Sequence, residues 1–410
     1  MIGEIIAIGD ELTSGRIANT TSGLAARELF LLGHEIRAMH TIGDVPILIG
    51  ETLKAVVARC DFVIVTGGLG ATSDDMTNEA VIEALGMNGT VHPGVQANIA
   101  SRLDKDGDAA AFLSKLAWLP EGAEVLDPEC RMAGYLLRHQ GKPIWFLPGV
   151  PPQMEILLRT KVLPGLRDFD RNHARPVRQT VYRTCGLFEI EINQRLRPLE
   201  EQALAIGYYP VGCEVHVSLT TGPAPDGSAD SSSQAADAFI RKALGDNLYG
   251  MDGETLASAV GGLLEHRGWM LGTAESCTGG LIGSTLTATP GSSRWFKGGV
   301  IAYGNTIKER LLGVDPNLLA RHGAVSGETA QAMADGALRR LDCDIAVAAT
   351  GIAGPDGGTP DKPVGTVYLG LATRDTVIDR LCRFTGSRRQ IQEKTAQTAV
   401  DMVRRALLAR

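Results

Sequence analysis

Three apolar runs in this chain end abruptly at glycine-rich segments, and this feature constrains the fold most. The runs are D-F-V-I-V (61–65) before T-G-G-L-G, W-M-L-G-T (269–273) before A-E-S-C-T-G-G, and I-A-V-A-A-T (345–350) before G-I-A-G-P-D-G-G. Such runs are typical of buried strands in a largely parallel sheet. Open α/β sheets bind their ligands at the carboxyl ends of these strands. We therefore expect an α/β protein with its sites at the glycine-rich segments.

The alternation of strand and helix patterns divides the chain into three parts. Residues 1–168 and 252–410 alternate apolar strand runs with helical patterns, which predicts two α/β three-layer domains. Residues 172–248 contain the alternating run V-H-V-S-L-T and a helix pattern that ends in R-K-A-L. This middle part predicts a small α+β module that joins the two larger domains. A chain of 410 residues, 44% of them apolar, has enough material for several cores.

Local patterns give more detailed expectations. I-G-E-I-I-A-I-G (2–9) predicts a buried strand. A helical pattern over 16–33 places Ile17, Leu24 and Leu31 on one face, with Gly33 at its C-terminal cap. The segment 221–234 is rich in Gly, Pro, Ser and Asp, which predicts a mobile loop.

Charge and composition narrow the possible partners and location. The net charge is −7 and no cluster of lysine or arginine occurs, so nucleic acid is not the expected partner. The first residues lack a basic region before an apolar stretch, and no apolar run is long enough to span a membrane. We expect a cytoplasmic protein without membrane contact. The seven cysteines and eight histidines are scattered, which indicates neither disulfides nor a zinc site.

The segment A-E-S-C-T-G-G suggests a nucleophile on a strand-to-helix turn. Ser276 would be presented at the edge of the sheet, and Gly279 and Gly280 would let a ligand approach. The amide groups that follow, at a helix N-terminus, could hold an oxyanion or a phosphate. A second interpretation is a plain capped helix start, because serine and threonine are preferred N-cap residues.

A serine nucleophile needs a base, and no histidine lies in these segments. Lys308 is the candidate, with burial and a neighbouring tyrosine, Tyr303, lowering its pKa. Alternatively, Lys308 lies on a solvated helix face. Cys277 is a rival nucleophile by adjacency, but without a histidine to activate it we interpret it as a packed thiol.

Five motifs in order resemble the C-terminal domain of the CinA (competence/damage-inducible protein A) family. They are A-E-S-C-T-G-G, A-Y-G-N-T-I-K-E-R-L-L-G-V, H-G-A-V-S, T-G-I-A-G-P-D-G-G and K-P-V-G-T-V. Members of that family are nicotinamide mononucleotide deamidases of serine–lysine type. The resemblance implies that Ser276 is the nucleophile, that Lys308 is the base with Tyr303 as its partner, and that Thr350 lies near the reacting amide.

The same resemblance implies a substrate site and no cofactor for the deamidase. Arg388, in F-T-G-S-R-R, would hold the phosphate, although as an isolated residue it would be interpreted as a surface arginine. The expected substrate-binding residues of this domain are Thr278, Gly279, Gly280, Gly351, Gly354 and Arg388.

The first domain has its own glycine-rich turn, T-G-G-L-G-A-T-S-D-D (66–75). Gly67, Gly68 and Gly70 would let the backbone approach a phosphate, and Asp74 or Asp75 could hold a divalent cation against it. The turn matches neither G-x-x-x-x-G-K-S/T nor G-x-G-x-x-G. We therefore do not expect a nucleoside-triphosphatase or a Rossmann dinucleotide site.

Together with G-D-E-L (9–12), S-G-R-I-A-N-T (14–20) and F-L-P-G-V-P-P-Q-M (146–154), this turn resembles the N-terminal domain of the same family. That domain has the molybdopterin-binding fold, and in some members it hydrolyses the pyrophosphate of ADP-ribose with a divalent metal. The resemblance implies metal or substrate contacts at Asp10, Asp44 and Asp75. Alternatively, Asp10 is a turn residue and Asp75 a helix cap.

Two segments depart from the family pattern, and the middle module lacks a nucleic-acid motif. D-P-E-C-R-M-A-G-Y (127–135) and S-K-L-A-W-L-P (114–120) replace the usual segments, and loops of this kind line the pocket. The middle module resembles the family's KH-like domain but has no G-x-x-G loop. We expect it to join the two halves or to form the interface of a homodimer.

Three functions stay open at this point. The first is deamidation of a small-molecule nucleotide by the C-terminal domain. The second is metal-dependent hydrolysis of ADP-ribose by the N-terminal domain. The third is a non-catalytic role as a pterin-binding module or as a scaffold in DNA uptake.

Overall fold

The computed structural model describes residues 1–102, 115–129, 131–170, 176–201, 204–222 and 231–409. The chain packs as two compact units. The first is built mainly from residues 1–178, and the second from residues 179–220 with 231–409. In this packing the middle module and the C-terminal domain belong to the same unit.

The first unit contains eight described strands and seven described helices. The strands are β1 Ile2–Ile8, β2 Glu35–Ile42, β3 Phe62–Thr66, β4 Gly89–Val91, β5 Trp118–Pro120, β6 Glu124–Val125, β7 Tyr135–His139 and β8 Lys142–Leu147. The helices are α1 Asp10–Thr13, α2 Thr20–Leu31, α3 Pro46–Arg59, α4 Thr77–Leu85, α5 Pro93–Arg102, α6 Pro151–Leu157 and α7 Leu163–Phe169.

The main sheet of this unit has the order β2-β1-β3-β8-β7-β6. The neighbours β2, β1, β3 and β8 are parallel, and β7 and β6 are antiparallel. Alternate residues of β1 face opposite layers, since Ile5 packs in the core with α2 and α6 and Ile6 in the core with α3 and α4. The expected three layers around a largely parallel sheet are confirmed, as is the strand predicted from the first residues.

The expected first helix begins later than its pattern suggested. Asn19 is the N-cap, and its side chain accepts a hydrogen bond from the amide of Ser22. Ile17 therefore lies outside the helix and is 58% exposed. An asparagine cap outweighs apolar periodicity because it satisfies a helix N–H that would otherwise lack a partner. Gly33 follows the helix with a φ of +91°, as expected of a residue that ends it.

The middle module is a four-stranded sheet with helices on one face. Its strands are β9 Arg178–Thr184, β10 Ala205–Val211, β11 Glu214–Thr221 and β12 Leu248–Met251, in the order β10-β11-β9-β12. Its helices are α8 Glu189–Glu200 and α9 Ser231–Leu244. The predicted loop 221–234 is shorter than expected, because Thr221 ends β11 and residues 231–234 begin α9. Residues 223–230 of that loop lie outside the described residues.

The C-terminal domain has the strands β13 Leu271–Glu275, β14 Phe296–Ile301, β15 Ile345–Gly351, β16 Thr366–Thr373 and β17 Val377–Arg383. Its helices are α10 Leu256–Arg267, α11 Leu281–Thr287, α12 Asn305–Leu312, α13 Pro316–His322, α14 Gly327–Arg340 and α15 Arg388–Leu408. The sheet order is β14-β13-β15-β16-β17, in which the first three strands are parallel and the last two antiparallel.

Helices cover both faces of this second sheet. Ile345 and Val347 of β15 pack with α10 and α15, whereas Ala346 and Ala348 pack with α12 and α14. This alternation is the reason for a three-layer domain, because each face of β15 is apolar. In the described part of the chain, no helix combines the length and the apolar character needed to cross a bilayer.

Candidate active site

Ser276 lies at the carboxyl edge of the C-terminal sheet, directly after β13. Glu275, the last residue of β13, pairs with Ile301 of β14 and with Ala349 of β15, so three parallel strands end together here. The amide of Ser276 donates to the carbonyl of Ala349 at 2.9 Å. The expected strand-to-helix turn is therefore present, and it is anchored to the neighbouring strand.

Two glycines allow the chain to turn into α11. Gly279 and Gly280 have φ angles of +61° and +101°, and residues with a Cβ rarely adopt such angles. These glycines were expected to admit a ligand, and the structure shows that the backbone of the turn itself requires them. Gly280 is also the N-cap of α11.

Glu275 occupies the amides that were expected to hold an anion. Its carboxylate accepts hydrogen bonds from the amides of Gly280 at 2.9 Å, Ile282 at 3.0 Å and Gly283 at 2.8 Å. These three donors are therefore not free for an oxyanion or a phosphate, which corrects the expectation for the helix N-terminus. The sequence analysis missed Glu275, although an acidic residue just before a glycine turn and a helix was a visible signal.

The donors that stay open lie directly after Ser276. The amides of Gly279 and Leu281 bind the carbonyls of Ser276 and Thr278. Within the described residues, the amides of Cys277 and Thr278 meet no carbonyl or carboxylate acceptor. The hydroxyl of Thr278 is likewise buried without a hydrogen-bond partner there, and the residue is 4% exposed. Donors that meet no carbonyl or carboxylate among the described residues thus adjoin the serine.

Lys308 meets Ser276 at this edge. It lies in the first turns of α12, is 1% exposed, and its Nζ atom is 3.1 Å from Ser276 Oγ. Nζ also donates to the carbonyls of Ala302 at 2.8 Å and Tyr303 at 3.0 Å. Burial lowers the pKa of Lys308 below its ordinary value, because the charged form loses its hydration. The surface interpretation of this lysine is wrong.

Tyr303 lies differently from what was expected. Its side chain is 60% exposed, and its hydroxyl accepts a hydrogen bond of 2.9 Å from Arg388 Nη2. It contacts Lys308 only through its backbone carbonyl. The low pKa of Lys308 comes from burial and not from the phenol.

Arg388 forms hydrogen bonds with two of the motif segments, the one that contains Tyr303 and the one that contains Gly354. It is the first residue of α15, after the N-cap Ser387. Besides Tyr303, it binds the carbonyl of Gly354 through Nη1 at 2.7 Å. Gly354 has a φ of +80°, and a Cβ on Gly351 would lie 2.6 Å from Val367 Cγ2. Backbone geometry therefore accounts for both glycines of this segment.

Thr350 and Gln392 complete the surroundings. Thr350 follows Ala349 on β15, but its hydroxyl donates to the carbonyl of Ala324 at 2.6 Å, so the fold already uses this donor. Gln392, one turn after Arg388 on α15, donates through Nε2 to the carbonyl of Cys277 at 2.9 Å. The sequence analysis missed Gln392, because no local pattern connects residues this far apart.

Cys277 has the properties of a packed thiol. The residue is buried, and burial raises the pKa of its thiol to about 12. A thiol with this pKa holds its proton at neutral pH, and the thiolate is the reactive form. This geometry supports the sequence-based preference for the serine over the cysteine.

In the first unit, the structure brings together two of the three predicted aspartates. The amide of Asp10 donates to Asp44 Oδ2 at 2.8 Å, and the amide of Asp44 to Asp10 Oδ1 at 3.1 Å. Burial, together with nearby carboxylates, raises the pKa of Asp44. Asp75 instead accepts hydrogen bonds from the amide and hydroxyl of Thr72.

These carboxylates form an incomplete set for a metal. In the described ranges, no group of three or more His, Cys, Asp or Glu side chains is placed to hold a metal ion. The pair lies beside the glycine turn, since Asp44 Oδ1 is 3.6 Å from the position that a Cβ on Gly68 would take. Gly67 follows β3 with a φ of +97°, and its carbonyl accepts a hydrogen bond from Thr77. A Cβ on Gly70 would meet the Asp75 carboxylate.

A cavity of about 140 Å³ lies in the same unit. Asn78 and Tyr135, which share a hydrogen bond of 3.0 Å, line it together with Leu69 and Arg131. Residues 131–135 therefore line a pocket, as expected of the segment that departs from the family pattern. Cys130 of that segment lies outside the described residues.

Comparisons with known proteins bear on all parts of the chain. The family described as "Probable molybdopterin binding domain" matches residues 4–168, "Damage-inducible protein CinA KH domain" matches 179–250, and "CinA C-terminal domain" matches 253–407. These families follow one another in the order expected from the sequence.

Relatives match over nearly the whole length. A CinA-like protein of Desulfotalea psychrophila is 48% identical and covers 99% of this chain and 98% of its own. A CinA-like protein of Syntrophus aciditrophicus is 38% identical, with the same coverage of 99% and 98%. The crystal structure of competence/damage inducible protein CihA from Agrobacterium tumefaciens is 43% identical, with 37% of this chain and 93% of that chain covered and a TM-score of 0.36. The chain belongs to the CinA family, and it carries a molybdopterin-binding-like domain, a KH domain and a CinA C-terminal domain in that order.

Proposed function

We propose that the C-terminal domain is an amidohydrolase that converts nicotinamide mononucleotide to nicotinate mononucleotide and ammonia. The observation that carries the proposal is the 3.1 Å contact between Lys308 Nζ and Ser276 Oγ at the carboxyl edge of the sheet. A serine hydroxyl becomes a nucleophile when an adjacent base takes its proton. The family resemblance supplies the substrate, and the geometry supplies a serine–lysine pair suited to amide chemistry.

The surroundings of Lys308 favour its function as a base. A neutral amine has two hydrogens and one lone pair. The carbonyls of Ala302 and Tyr303 can accept the two hydrogens, which leaves the lone pair for the proton of Ser276. Because burial disfavours the ammonium form, the neutral form is accessible at lower pH than for an exposed lysine.

The proposed reaction begins with attack of Ser276 Oγ on the carboxamide carbon. The Oγ–C bond forms, the carbonyl π electrons move to oxygen, and Lys308 takes the hydroxyl proton. The open amides of Cys277 and Thr278 lie next to the nucleophile, where donors can stabilise the new oxyanion. Lys308 then protonates the amine nitrogen, the C–N bond breaks, and ammonia leaves an acyl-enzyme.

Water completes the cycle by the same proton transfers. Lys308 takes a proton from water as the water oxygen attacks the acyl carbon, and the ester bond to Ser276 Oγ breaks. Lys308 returns the proton to Oγ, which regenerates the hydroxyl and releases the product as a carboxylic acid, and this acid loses its proton to solvent to give the carboxylate. Lys308 carries the proton that is transferred in each half of the cycle, and no step of the proposed chemistry calls for a cofactor.

Arg388 is the residue that we propose for the substrate phosphate. It lies at the same edge of the sheet, where one N–H of each Nη atom binds Gly354 and Tyr303. Its remaining N–H groups can bind phosphate oxygens, for which a guanidinium is well shaped. The hydroxyl of the exposed Tyr303, which is bound to Arg388, could donate a further hydrogen bond to a phosphate there.

The direct test is ammonia release from nicotinamide mononucleotide by the full-length protein in the presence of EDTA. The wild type should release ammonia, and Ser276→Ala should not. If both proteins release ammonia equally, or neither does, the proposal is wrong.

A second candidate function concerns the first unit. We propose metal-dependent hydrolysis of ADP-ribose there, because the Asp10–Asp44 pair lies beside the glycine turn and burial raises the pKa of Asp44. The two carboxylates alone do not complete a cation site, but Mg²⁺ is commonly held by one or two carboxylates together with substrate phosphates, which the pyrophosphate of ADP-ribose would supply. This activity should disappear with a chelator and in Asp44→Asn, but should survive Ser276→Ala.

A further inference from the structure

Glu275 is a buried charge placed next to the nucleophile, and neither the motifs nor the proposed mechanism gives it a role. It is 2% exposed, and it makes three hydrogen bonds with backbone amides. We infer that Glu275 is a positioning residue for the deamidase. It fixes the turn that carries Ser276 and prevents anions from binding at the N-terminus of α11. This inference rests on the proposed function.

Glu275 ties the end of β13 to the start of α11. The turn from Ser276 to Gly279 is held at both ends. The amide of Ser276 is bound to Ala349 on β15. Glu275, the last residue of β13, reaches across the turn to the amides of Gly280, Ile282 and Gly283. The strand and the helix are therefore tied directly together, and Ser276 Oγ stays within hydrogen-bond reach of Lys308.

Glu275 also places a negative charge at the start of α11. The N-terminus of a helix attracts anions, because its first amides lack partners within the helix. In α11, Glu275 already supplies the anion. A substrate phosphate or an oxyanion is thereby excluded from α11, and the nearest open amides are those of Cys277 and Thr278. Glu275 thus decides at which amides of the turn negative charge can develop.

The variant that isolates this role is Glu275→Gln. The glutamine has the same shape, but its NH₂ group would face at least one of the amide donors, so a buried N–H loses its acceptor. Ser276, Lys308 and the open amides keep their chemical groups. If activity falls more than the amount of folded protein does, the additional loss therefore reflects a changed position of Ser276.

The chain offers a matched control in the other unit. Asp127 is 6% exposed, and its carboxylate accepts the amides of Glu129 at 3.1 Å, Arg131 at 2.8 Å and Met132 at 3.1 Å. Asp127→Asn removes the same kind of contact far from Ser276 in sequence. It controls for the effect on stability of weakening a buried carboxylate cap.

Two readouts are needed. The first is steady-state deamidation by the full-length protein, with the folded fraction measured by circular dichroism. The second is the rate at which a fluorophosphonate probe labels Ser276. In labelling, the Oγ–P bond forms, the P–F bond breaks, fluoride leaves and Lys308 takes the serine proton. The second readout requires no nucleotide substrate.

We expect Glu275→Gln to lower kcat at least tenfold with KM within twofold of wild type, and to slow labelling by a similar factor. Asp127→Asn should leave both rates unchanged even where its melting temperature falls. The inference is overturned if Glu275→Gln labels and turns over at the wild-type rate per folded molecule. If the wild type labels at Ser276 but releases no ammonia, the proposed substrate is wrong, and the labelling rates alone then decide the role of Glu275.

Discussion

The Nζ atom of Lys308 lies 3.1 Å from the Oγ atom of Ser276, although 32 residues separate them in sequence. The lysine is nearly inaccessible to solvent and its other hydrogen-bond partners are backbone carbonyls. Burial is the main cause that lowers the pKa of Lys308, and the nearby Cys277 opposes it. A lysine in this environment is suited to proton transfer, since its neutral form is accessible and, among the described residues, its side-chain hydrogen-bond partner is the serine.

Replacement of Lys308 by methionine should remove the base and keep most of the side-chain volume. We expect kcat/KM for deamidation to fall by about 10²–10⁴-fold, the usual contribution of a general base. Lys142→Met is a suitable control, because Lys142 in the first unit also donates to a backbone carbonyl, that of Val57. An unchanged rate in Lys308→Met would exclude the lysine as base.

The pH dependence should follow the lowered pKa of Lys308. The neutral amine is the active form, so kcat/KM should rise with pH and reach half of its plateau at an apparent pKa below the ordinary lysine value of 10.5. The measurement is the pH profile of kcat/KM with nicotinamide mononucleotide. A midpoint of the rise at or above pH 10.5 would show that burial does not lower the pKa of this group.

Thr278→Val should separate stability from activity. A buried hydroxyl without a partner costs roughly 1–3 kcal/mol, so the isosteric valine should keep or raise the melting temperature. If the hydroxyl contacts substrate, kcat/KM should fall about tenfold or more, since one neutral hydrogen bond is lost in the complex.

Thr273→Val is the matched control for that variant. Thr273 on β13 is also buried with no partner for its hydroxyl among the described residues. It should gain stability in the same way and keep full activity. A fall in the melting temperature of Thr278→Val, with activity unchanged, would assign Thr278 to the fold alone.

Tyr303→Phe and Arg388→Lys should act on binding more than on chemistry. The Tyr303 hydroxyl contacts Arg388 and not Lys308, so its removal should raise KM several-fold with kcat nearly unchanged. Arg388→Lys should raise KM further, because an ammonium cannot bind a phosphate in the bidentate way. A large loss of kcat in Tyr303→Phe would instead place the phenol in the proton transfer. Steady-state kinetics at saturating substrate decide between the two.

Asp44→Asn tests the predicted cation in the first unit. Because burial raises the pKa of Asp44 in the fold, the charged form is unfavourable, and the unfolded state binds fewer protons than the folded state. Wild-type stability should therefore fall as the pH rises through the folded pKa, and Asp44→Asn should melt higher than wild type at pH 7. The difference should vanish below the unfolded pKa, where both forms are neutral.

Magnesium should reverse the order of the two melting temperatures, so that the wild type melts higher than Asp44→Asn. If the Asp10–Asp44 pair holds the cation, MgCl₂ should raise the melting temperature of the wild type and leave that of Asp44→Asn unchanged. Equal melting temperatures of the wild type with and without MgCl₂ would contradict the predicted metal site.

The sequence by itself determined the architecture and predicted that Ser276 and Lys308 belong to one site. Apolar runs such as 61–65 and 345–350 predicted central strands because a strand buried on both faces has apolar residues throughout. The glycine-rich segments after these strands placed Ser276 at the carboxyl edge. The motif match placed Lys308 beside it. Strand periodicity and motif order are properties of neighbouring residues, and the local sequence therefore carries them.

Only the tertiary structure decided how the side chains at this edge are used. In the folded protein the Tyr303 hydroxyl accepts a hydrogen bond from Arg388, and the Thr350 hydroxyl donates one to the carbonyl of Ala324. Gln392 donates to the carbonyl of Cys277, which lies 115 residues away in sequence. The structure also showed that Glu275 binds the helix amides that the sequence had left for an anion. A hydrogen bond depends on distance and direction between groups from different elements. This distance and this direction are fixed only when the helices and the sheet pack together, so no local sequence pattern predicts them.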